Sequence, residues 1–330
     1  MINLQTPEIQ FALQAVRQAS ALASQVQAEM ASSTLIKADL SPVTVADLAS
    51  QALVGFLLAR AFPGDPLVAE EDSNSLGGQA GNETLDLVAH YVERFIPGIT
   101  PAQVCEWIDT GRGKASGRFW TLDPIDGTKG YLRGDQYAVA LALIQDGQVQ
   151  VGMLGCPNLS DGYRPDTGGL GSLVFAARNQ GAWIDSLRLP GAIEPMHVSQ
   201  RSDPAQTRLL RSFESDHTNT AQVDQLARSL GVKVEPVLMD SQAKYAILAA
   251  GKGDLIVRLL SQAKPDYREK IWDQAAGSLI VEEAGGRITD LDGQVLDFTQ
   301  GRTLAHNRGV VASNNLLHEL ALRALKATGA

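Results

Sequence analysis

The sequence is poor in cysteine and has no long apolar run. Its 330 residues include only two cysteines, Cys105 and Cys156, without the CxxC or Cys/His spacing of a zinc site. We expect two reduced thiols, as is usual in the cytoplasm, with a regulatory disulfide as the alternative. No stretch approaches the roughly 18 apolar residues of a membrane span, and the first residues lack the features of a secretory signal. These absences predict a cytoplasmic protein without a membrane partner.

Positive charge is also scarce. The 28 lysines and arginines are outnumbered by 37 acidic residues, which gives a formal charge of −9 and a pI of about 5.1. Nucleic-acid binding needs a basic surface, so this balance argues against it. A small anionic ligand remains compatible, because a bound metal ion reverses the local field. The 44% of hydrophobic residues suffice for a sizeable core, in one large domain or in two halves.

The most informative segment that is present covers residues 123–130, directly after an apolar stretch with the pattern of a buried strand. In it Asp123 and Asp126 flank a proline, and Gly127-Thr128 follows at once. Proline fixes one backbone angle, and glycine lets the chain bend sharply beside a ligand. Carboxylates at a strand end are typical of α/β active sites. The segment can therefore bring together a divalent metal, a phosphate and a water-activating hydroxyl.

Hydrophobic periodicity changes near residue 200. The part at 1–200 predicts helices stacked on a largely antiparallel sheet, with hairpin turns at Asp146-Gly147 and at 179–181. The part at 201–330 alternates strands and helices, as an α/β unit does. The first predicted helix opens at Pro7, and the others cover 44–61, 83–95, 217–230, 243–250 and 272–283. The predicted strands cover 67–69, 136–144, 148–156, 173–177, 182–184, 209–212, 232–238 and 255–260. A loop is predicted at 73–82.

Four acidic residues stand out by their places relative to these elements. Asp123 and Asp126 flank the central turn, Glu70 ends a predicted strand, and Asp273 opens a predicted helix. Oxygen ligands without His or Cys favour hard cations, mainly Mg²⁺, which completes its shell with water and phosphate oxygens. The set therefore indicates phosphoryl chemistry more than a closed structural metal site.

Each of these acidic residues also has an ordinary structural interpretation. The two turn aspartates could form Asx turns, the glutamate could be a solvated acid, and the helix-start aspartate could complement a helix dipole. Asp47 lies three residues after Thr44, so a capping box is its simplest account. Residue types alone leave these alternatives open.

Three acidic segments, taken in order, carry a resemblance that covers nearly the whole chain. They lie at residues 70–72, 123–128 and 272–277, and together they resemble the three signatures of the lithium-sensitive inositol monophosphatase superfamily. The resemblance implies a layered α-β-α-β-α sandwich with mixed and antiparallel sheets, and an active site between two halves at 1–200 and 201–330. It also implies dependence on Mg²⁺ and inhibition by lithium.

Further residues are similar to one branch of that superfamily, the 3′(2′),5′-bisphosphate nucleotidases. The central motif continues with Lys129-Gly130, and the segments 41–47, 240–245 and 301–304 also fit this branch. The resemblance implies hydrolysis of 3′-phosphoadenosine 5′-phosphate (PAP) to AMP, and of its sulfated precursor 3′-phosphoadenosine 5′-phosphosulfate (PAPS).

The resemblance also assigns roles to individual residues. Asp47 and Thr128 match the pair that orients and deprotonates the attacking water, and the backbone N–H groups of Gly127 and Thr128 match those that hold the scissile phosphate. The positions that match ligands of two or three Mg²⁺ ions are Glu70, Asp123, Asp126, Asp273 and the carbonyl of Ile125.

Contacts to the remaining parts of the substrate are implied for five residues. Lys244 and Arg258 match positions that bind nucleotide phosphate, with Ser241 beside them, and Asp273 is counted here as well as among the metal ligands. His217 matches a position in contact with adenosine, and an exposed histidine at a helix start is its alternative. An ordinary ion pair is the alternative for Arg258, since a charge inside an apolar strand is costly to bury alone.

Two other functions remain open. One is a phosphatase for inositol phosphates or sugar bisphosphates. Three residues depart from the common pattern and bear on which of these substrates is preferred: Ala69, Asp135 and Gln274. The other is a nucleotide sensor without catalysis, which is expected to lack a metal ligand or one of the two water-orienting residues. None of them is missing. We expect a monomer that binds a small-molecule nucleotide and no nucleic acid.

Overall fold

The computed structural model describes residues 2–32, 41–213, 220–260 and 266–328, and its larger sheet is a meander. The first strand pair is parallel and all the others are antiparallel, with each strand beside its neighbour in sequence. The strands are β1 (Leu67–Ala69), β2 (Arg118–Asp126), β3 (Ala138–Gln145), β4 (Gln148–Cys156), β5 (Ser172–Ala177), β6 (Ala182–Ser186) and β7 (Glu194–Met196).

The smaller sheet has five strands, and its order does not follow the sequence. The strand in third place pairs parallel with the fourth and antiparallel with the second, so the sheet is mixed. From one edge to the other the strands are β11 (Arg287–Thr289), β12 (Val310–Ser313), β10 (Leu255–Arg258), β8 (Leu209–Arg211) and β9 (Val237–Leu238).

Helices cover the sheets in three layers. Two short 3₁₀ helices, Ser73–Leu76 and Pro204–Gln206, lie in connections. The α-helices of the described residues are α1 (Pro7–Ser32), α2 (Pro42–Ala61), α3 (Gly78–Glu93), α4 (Pro101–Asp109), α5 (Thr128–Arg133), α6 (Thr220–Leu230), α7 (Ala243–Ala249), α8 (Ala275–Glu283) and α9 (His318–Thr328).

The larger sheet is buried on both faces, and strand β3 shows how. Leu141 and Leu143 pack on the face covered by α1, whereas Ala140 and Ala142 face α7 and α8. These small side chains let α8 lie close to the sheet. On the neighbouring strand, a Cβ added at Gly152 would lie 2.7 Å from the carbonyl oxygen of Ala276 in α8, which explains why a glycine stands there.

The smaller sheet lies on the far side of α7 and α8. On β10, Leu255 and Val257 pack with residues of α6 and α9, and Ile256 faces the opposite way, into the cluster that contains α7 and α8. Arg258 follows with the same alternation, so its side chain is directed inward. The order of layers is α1 and α2, the larger sheet, α7 and α8, the smaller sheet, and α6 with α9. The predicted α-β-α-β-α arrangement is confirmed.

Helix α2 combines length with an apolar composition. Residues Val43–Ala61 are long and apolar enough to cross a membrane by length and composition, but 72% of that window is buried inside the protein. It packs against α1, α3, α4 and β2. A helix that is surrounded on several sides by its own fold is apolar all round because it lies in the core.

Three predicted elements differ from the structure. The loop predicted at 73–82 is wrong, because a 3₁₀ helix and the start of α3 lie there; the strand predicted at 232–238 is reduced to Val237–Leu238, since Pro236 has no N–H for a ladder. The helix predicted from Trp272 begins at Ala275, so Asp273 lies in the turn before α8. The predicted hairpin at Asp146-Gly147 is confirmed by strands β3 and β4.

Candidate active site

A cavity of about 290 Å³ lies at the carboxyl end of β2, between the two sheets. Strand ends and turns of the larger sheet contribute Glu70, Asp123, Asp126 and Thr128 to its lining. From the other side come the start of α7, strand β10 and the turn before α8. The cavity therefore collects residues that are up to about two hundred positions apart in the sequence.

The turn after β2 is shaped by one glycine. Gly127 has a φ of 89°, in the left-handed region that favours glycine, and an added Cβ would lie 2.7 Å from the Cβ of Ser241. Helix α5 starts directly afterwards, at Thr128. The register between β2 and β3 also shifts between Asp123 and Asp126, so the two residues between them leave the regular ladder. This irregular bend turns both aspartates towards one cavity.

Five carboxylates line this cavity. One of them, Asp240, is paired with Arg133, and we call the other four the acidic wall: Glu70, Asp123, Asp126 and Asp273. Burial raises the pKa of Glu70 to about 7, and the charges of Glu71 and Asp126 add to that shift. Burial raises the pKa of Asp123 and that of Asp273 well above the usual range. Neighbouring carboxylates add to both shifts, whereas Arg258 opposes that of Asp273. Like charges buried together at this density favour a bound cation.

The donor set of the acidic wall fits Mg²⁺. The Oδ1 atom of Asp123 is buried and has no hydrogen-bond partner among the described residues, which leaves a carboxylate oxygen available to an ion. Within those same residues, no three acidic, His or Cys side chains are close enough to form a metal cage by themselves. Mg²⁺ usually keeps several waters and takes further oxygens from substrate phosphate, so a closed protein cage is not required.

Asp47 lies behind the acidic wall rather than on the cavity surface. It is buried in α2, and burial raises its pKa well above the usual range, with further contributions from Glu71 and Glu70. Thr128 lines the cavity at the start of α5, which packs against α2. The capping-box interpretation of Asp47 is wrong, because α2 begins at Pro42 and Thr44 already lies inside the helix.

Five lysines and arginines line the cavity, and we call two of them, Lys244 and Arg258, the basic wall, because both lie close enough to Asp126 to oppose the rise of its pKa. The Nζ of Lys244 donates hydrogen bonds of 3.1 Å to Ser212 Oγ and to the carbonyl of Met239. Burial lowers the pKa of this lysine to about 8, although the charge of Asp126 opposes the shift. The ammonium group is therefore held in place by neutral acceptors and titrates close to neutral pH.

The ion pair considered for Arg258 is present. Its Nε lies 2.9 Å from Oε1 of the buried Glu269, and its Nη2 lies 3.8 Å from Oδ2 of Asp273. Glu269 also accepts a 3.0 Å hydrogen bond from Nε2 of Gln274. Because Arg258 borders the cavity as well, this pairing fixes the guanidinium group without removing it from a ligand's reach.

Gln242 connects the two walls, and the sequence interpretation assigned it no role. Its backbone N–H donates to a carboxylate oxygen of Asp126. Its side-chain Nε2 donates to the carbonyl of Trp272 at 3.0 Å, and its Oε1 accepts from the N–H of Gly277 at 3.1 Å. The preceding Ser241 has a left-handed φ of 67°, which aims this backbone at the turn. Gln242 itself lines the cavity, and in the sequence it lies between the predicted site residues Ser241 and Lys244. That position is the signal that could have identified it.

The structure brings nearly all the predicted site residues to one cavity. Asp47 is adjacent but does not line it, and His217 lies outside the described residues. Lys270 and Tyr267 also line the cavity and were not predicted; both precede Asp273 in the segment that carries it. The predicted residues that line the cavity are Glu70, Asp123, Ile125, Asp126, Gly127, Thr128, Ser241, Lys244, Arg258 and Asp273.

Comparison with protein families gives a match over nearly the whole chain. The model of the inositol monophosphatase family matches residues 4–330. Among curated relatives, the 3′(2′),5′-bisphosphate nucleotidase of Schizosaccharomyces pombe is 41% identical, over 97% of this chain and 95% of the relative. The Oryza sativa protein of the same name is 40% identical, over 98% and 95%. The resemblance noted in the sequence is confirmed.

Solved structures share the fold at lower identity. SuhB of Mycobacterium tuberculosis aligns with a TM-score of 0.63 at 22% identity, over 96% of this chain and 94% of its own. CysQ of Bacteroides thetaiotaomicron, described as a bacterial member of the inositol monophosphatase family, aligns with a TM-score of 0.63 at 21% identity, over 95% and 99%. At these identities the structures support the architecture alone.

Proposed function

The chain belongs to the inositol monophosphatase family, and on that premise we propose that it removes the 3′-phosphate of PAP, giving AMP and phosphate. The observation that carries this proposal is the cavity in which the four carboxylates of the acidic wall lie opposite the basic wall, with further cations in the lining at Lys129, Arg211 and Lys270. A ligand with two separate phosphates matches both walls, whereas a monophosphate matches only one of them. The relatives named 3′(2′),5′-bisphosphate nucleotidase support the same substrate.

Enzymes of this family depend on Mg²⁺ in general, and the acidic wall suits that ion. We propose that its four carboxylates, with the carbonyl of Ile125, hold two or three Mg²⁺ ions. When bound, such ions offset charge on the transferred phosphoryl group and make water a better nucleophile. The number of ions and the part each residue takes in binding them belong to the proposal.

The protein groups that act on water are proposed to be Asp47 and Thr128. Thr128 stands at the cavity surface, where its hydroxyl can orient a water molecule, and the carboxylate of Asp47 behind it can receive the proton. A carboxylate whose pKa is raised by burial is a better base near neutral pH than an exposed one. The N–H groups of Gly127 and Thr128 are proposed to hold the scissile phosphate at the same turn.

The basic wall is proposed to bind the 5′-phosphate. Lys244 and Arg258 carry the charge for that contact, with Ser241 and Asp273 beside them, and His217 is proposed to contact the adenosine. The two halves of the site then come from residues 1–200 and 201–330. We further propose action on PAPS, a monomeric state and a cytoplasmic location, for which charge and family membership are the support.

Phosphate release from a substrate panel tests the proposal. PAP, PAPS, inositol 1-phosphate and fructose 1,6-bisphosphate are compared at equal concentration, with Mg²⁺, with chelator and with added lithium. We expect the largest kcat/KM for PAP, no activity in chelator and inhibition by lithium. Faster hydrolysis of the inositol or sugar phosphate would assign the protein to another branch of the family. Tight PAP binding without phosphate release would indicate a sensor.

A further inference from the structure

The segment at residues 301–304 has no part in the chemistry described so far. Its arginine, however, contacts Ala69 and Trp272, which directly precede Glu70 and Asp273 of the acidic wall. Arg302 is an exposed residue by surface area, yet its guanidinium group has defined partners. Nη2 donates to the carbonyl oxygen of Ala69, and Nη1 donates to that of Gly111 at 3.1 Å. The Ala69 carbonyl belongs to the peptide bond that leads into Glu70, so Arg302 donates a hydrogen bond to the peptide unit directly before one acidic-wall residue.

The same side chain packs against the residue before Asp273. The guanidinium carbon of Arg302 lies 4.7 Å from the ring centroid of Trp272, a distance at which a cation interacts with the ring face. Trp272 itself is 5% exposed, so its ring is fixed by the core. The guanidinium group therefore donates hydrogen bonds to backbone carbonyls near Glu70 and at the same time lies over the ring adjacent to Asp273.

The backbone around Arg302 strengthens this connection. Its carbonyl accepts a 3.2 Å hydrogen bond from the N–H of Ile271, and the N–H of Leu304 donates to the carbonyl of Glu269 at 2.9 Å. The loop thus pairs, like a short strand, with the residues that run into Trp272 and Asp273. A displacement of the loop would move this segment with it.

A different residue holds the Glu70 segment from the other direction. The buried Gln51 of α2 donates 2.7 Å hydrogen bonds to the carbonyls of Glu71 and Ile108 and accepts a 3.0 Å bond from the N–H of Glu71. Those bonds tie the segment to helices of its own layer. Arg302 ties it to the segment of Asp273, about 200 residues away in the sequence, through hydrogen bonds to the carbonyls of Ala69 and Gly111 and through the ring of Trp272.

We infer that Arg302 is a positioning residue that fixes the backbones of Glu70 and Asp273 relative to each other and so shapes the Mg²⁺ site. Two carboxylates that share an ion repel each other before it binds, and a link between their backbones reduces the movement by which they could separate. Arginine suits this role because it offers several donors in one plane together with a flat face, which lysine does not. The inference rests on the proposed metal site.

The test is a calorimetric titration with Mg²⁺ alone on the wild type, Arg302→Met and Arg302→Lys. Residues that orient metal ligands typically contribute roughly 10–100-fold to affinity, so we expect Arg302→Met to weaken Mg²⁺ binding by about tenfold or more. Arg302→Lys should recover little of it, since lysine supplies neither the fork nor the flat face. Saturating Mg²⁺ should restore most of kcat and leave the KM for PAP nearly unchanged.

Arg178→Met is the matched control. Arg178 also joins two elements through a main-chain carbonyl, that of Val149 at 3.1 Å, and through Glu282 at 2.6 Å, but neither partner is next in sequence to a residue that lines the cavity. Its loss should lower the thermal midpoint in chelator about as much as Arg302→Met does and leave Mg²⁺ affinity unchanged.

Three results would overturn the inference. Mg²⁺ affinity of Arg302→Met within twofold of the wild type would mean that the arginine does not shape the site. Equal weakening in Arg178→Met would reduce its effect to general stability, and full recovery by Arg302→Lys would assign it to charge alone. If the wild type itself binds no Mg²⁺ and releases no phosphate, both the proposed function and this inference fail. That outcome is distinct from the three above, in which the wild type binds Mg²⁺ and only the role of Arg302 is refuted.

Discussion

The two walls of the cavity differ in how their charges are compensated. On the basic wall, Arg258 lies 2.9 Å from the carboxylate of Glu269, and Lys244 donates to Ser212 and Met239. Each cation has its own protein partners before any ligand arrives. On the acidic wall, Asp123 has four carboxylates as neighbours, and one of its buried oxygens has no partner among the described residues. Asp126 is the exception on that wall, since it accepts from the N–H of Gln242 and lies near Lys244.

This difference indicates which wall needs an external ion. A buried charge without a partner is unfavourable, and the group shifts its pKa or takes a counter-ion instead. Neighbouring carboxylates add to the raised pKa values of Glu70, Asp123 and Asp273, which burial causes first. Burial also lowers the pKa of Lys244, but there the opposite charge of Asp126 counteracts the shift. We therefore expect removal of Mg²⁺ to affect the acidic wall strongly, and changes in the basic wall to affect mainly ligand binding.

The largest effect is expected behind the acidic wall, for Asp47→Asn. Loss of a general base typically lowers turnover by about 10²–10⁴-fold, while the Mg²⁺ ligands stay in place. We expect kcat for PAP to fall in that range and Mg²⁺ affinity, measured by calorimetry, to change less than threefold. A wild-type kcat in this variant would remove Asp47 from the mechanism, and loss of Mg²⁺ binding would make it a part of the metal site.

A second effect concerns the stability of the metal-free protein. Because the pKa of Glu70 is raised to about 7 from an ordinary 4.5, the folded state binds this proton more tightly than the unfolded state does. Ionised Glu70 therefore destabilises the folded state, and it does so by the full amount above pH 7. The destabilisation disappears as the pH falls from 7 towards 4.5 and the carboxyl group of the folded state takes up its proton. This rise in the pKa of Glu70 corresponds to a loss of unfolding free energy on the order of 3 kcal/mol above pH 7.

Chemical unfolding in chelator at pH 5 and pH 8 measures this contribution. Burial lowers the pKa of His318 to about 4 and acts in the opposite direction, so the wild type must be compared with Glu70→Gln. Relative to that variant, the wild type should lose stability between pH 5 and pH 8, and Mg²⁺ should remove the loss. If the free energy of unfolding changed equally with pH in the two proteins, the raised pKa of Glu70 would be contradicted.

The smallest of these effects should come from the basic wall, for Lys244→Met. A hydrogen bond to a charged group contributes about 1.5–3 kcal/mol, so we expect KM for PAP to rise about tenfold or more. The KM for 3′-AMP, which lacks the 5′-phosphate, should change little and serves as the internal control. The wild-type KM for PAP should also rise above about pH 8, where Lys244 loses its charge, and the variant should lack that dependence.

Short-range patterns predicted much of the larger sheet. The turn at Asp146-Gly147, with φ values of 51° and 76°, was recognisable because few residue pairs adopt that conformation readily. The acidic residues were recognisable because their types suit Mg²⁺. In contrast, the glycine-rich stretch at 73–82 looked like a loop, although tertiary packing stabilises a helix there; Leu85, Val88 and Tyr91 of α3 contact the core.

Long-range contacts could not be predicted from residue types. Nothing in the spacing of Arg302 indicates that its guanidinium group reaches Ala69, more than two hundred positions earlier. The role of Gln242 depends in the same way on three hydrogen bonds to distant segments. Asp47 was selected through resemblance, and its place behind the cavity follows from how α2 packs. Such features arise from the fold and leave no local pattern.

The contrast in strand order between the two sheets has a consequence for folding. Each strand from β2 to β7 pairs with its neighbour in sequence, whereas the smaller sheet joins β10 to β8 and to β12 across long connections. Contacts between near neighbours form faster than contacts that close long loops. The strands from β2 to β7 should thus assemble first, with Asp123 and Asp126 still open to solvent, and the enzyme should gain its ion affinity only when Glu70 and Asp273 arrive across longer connections.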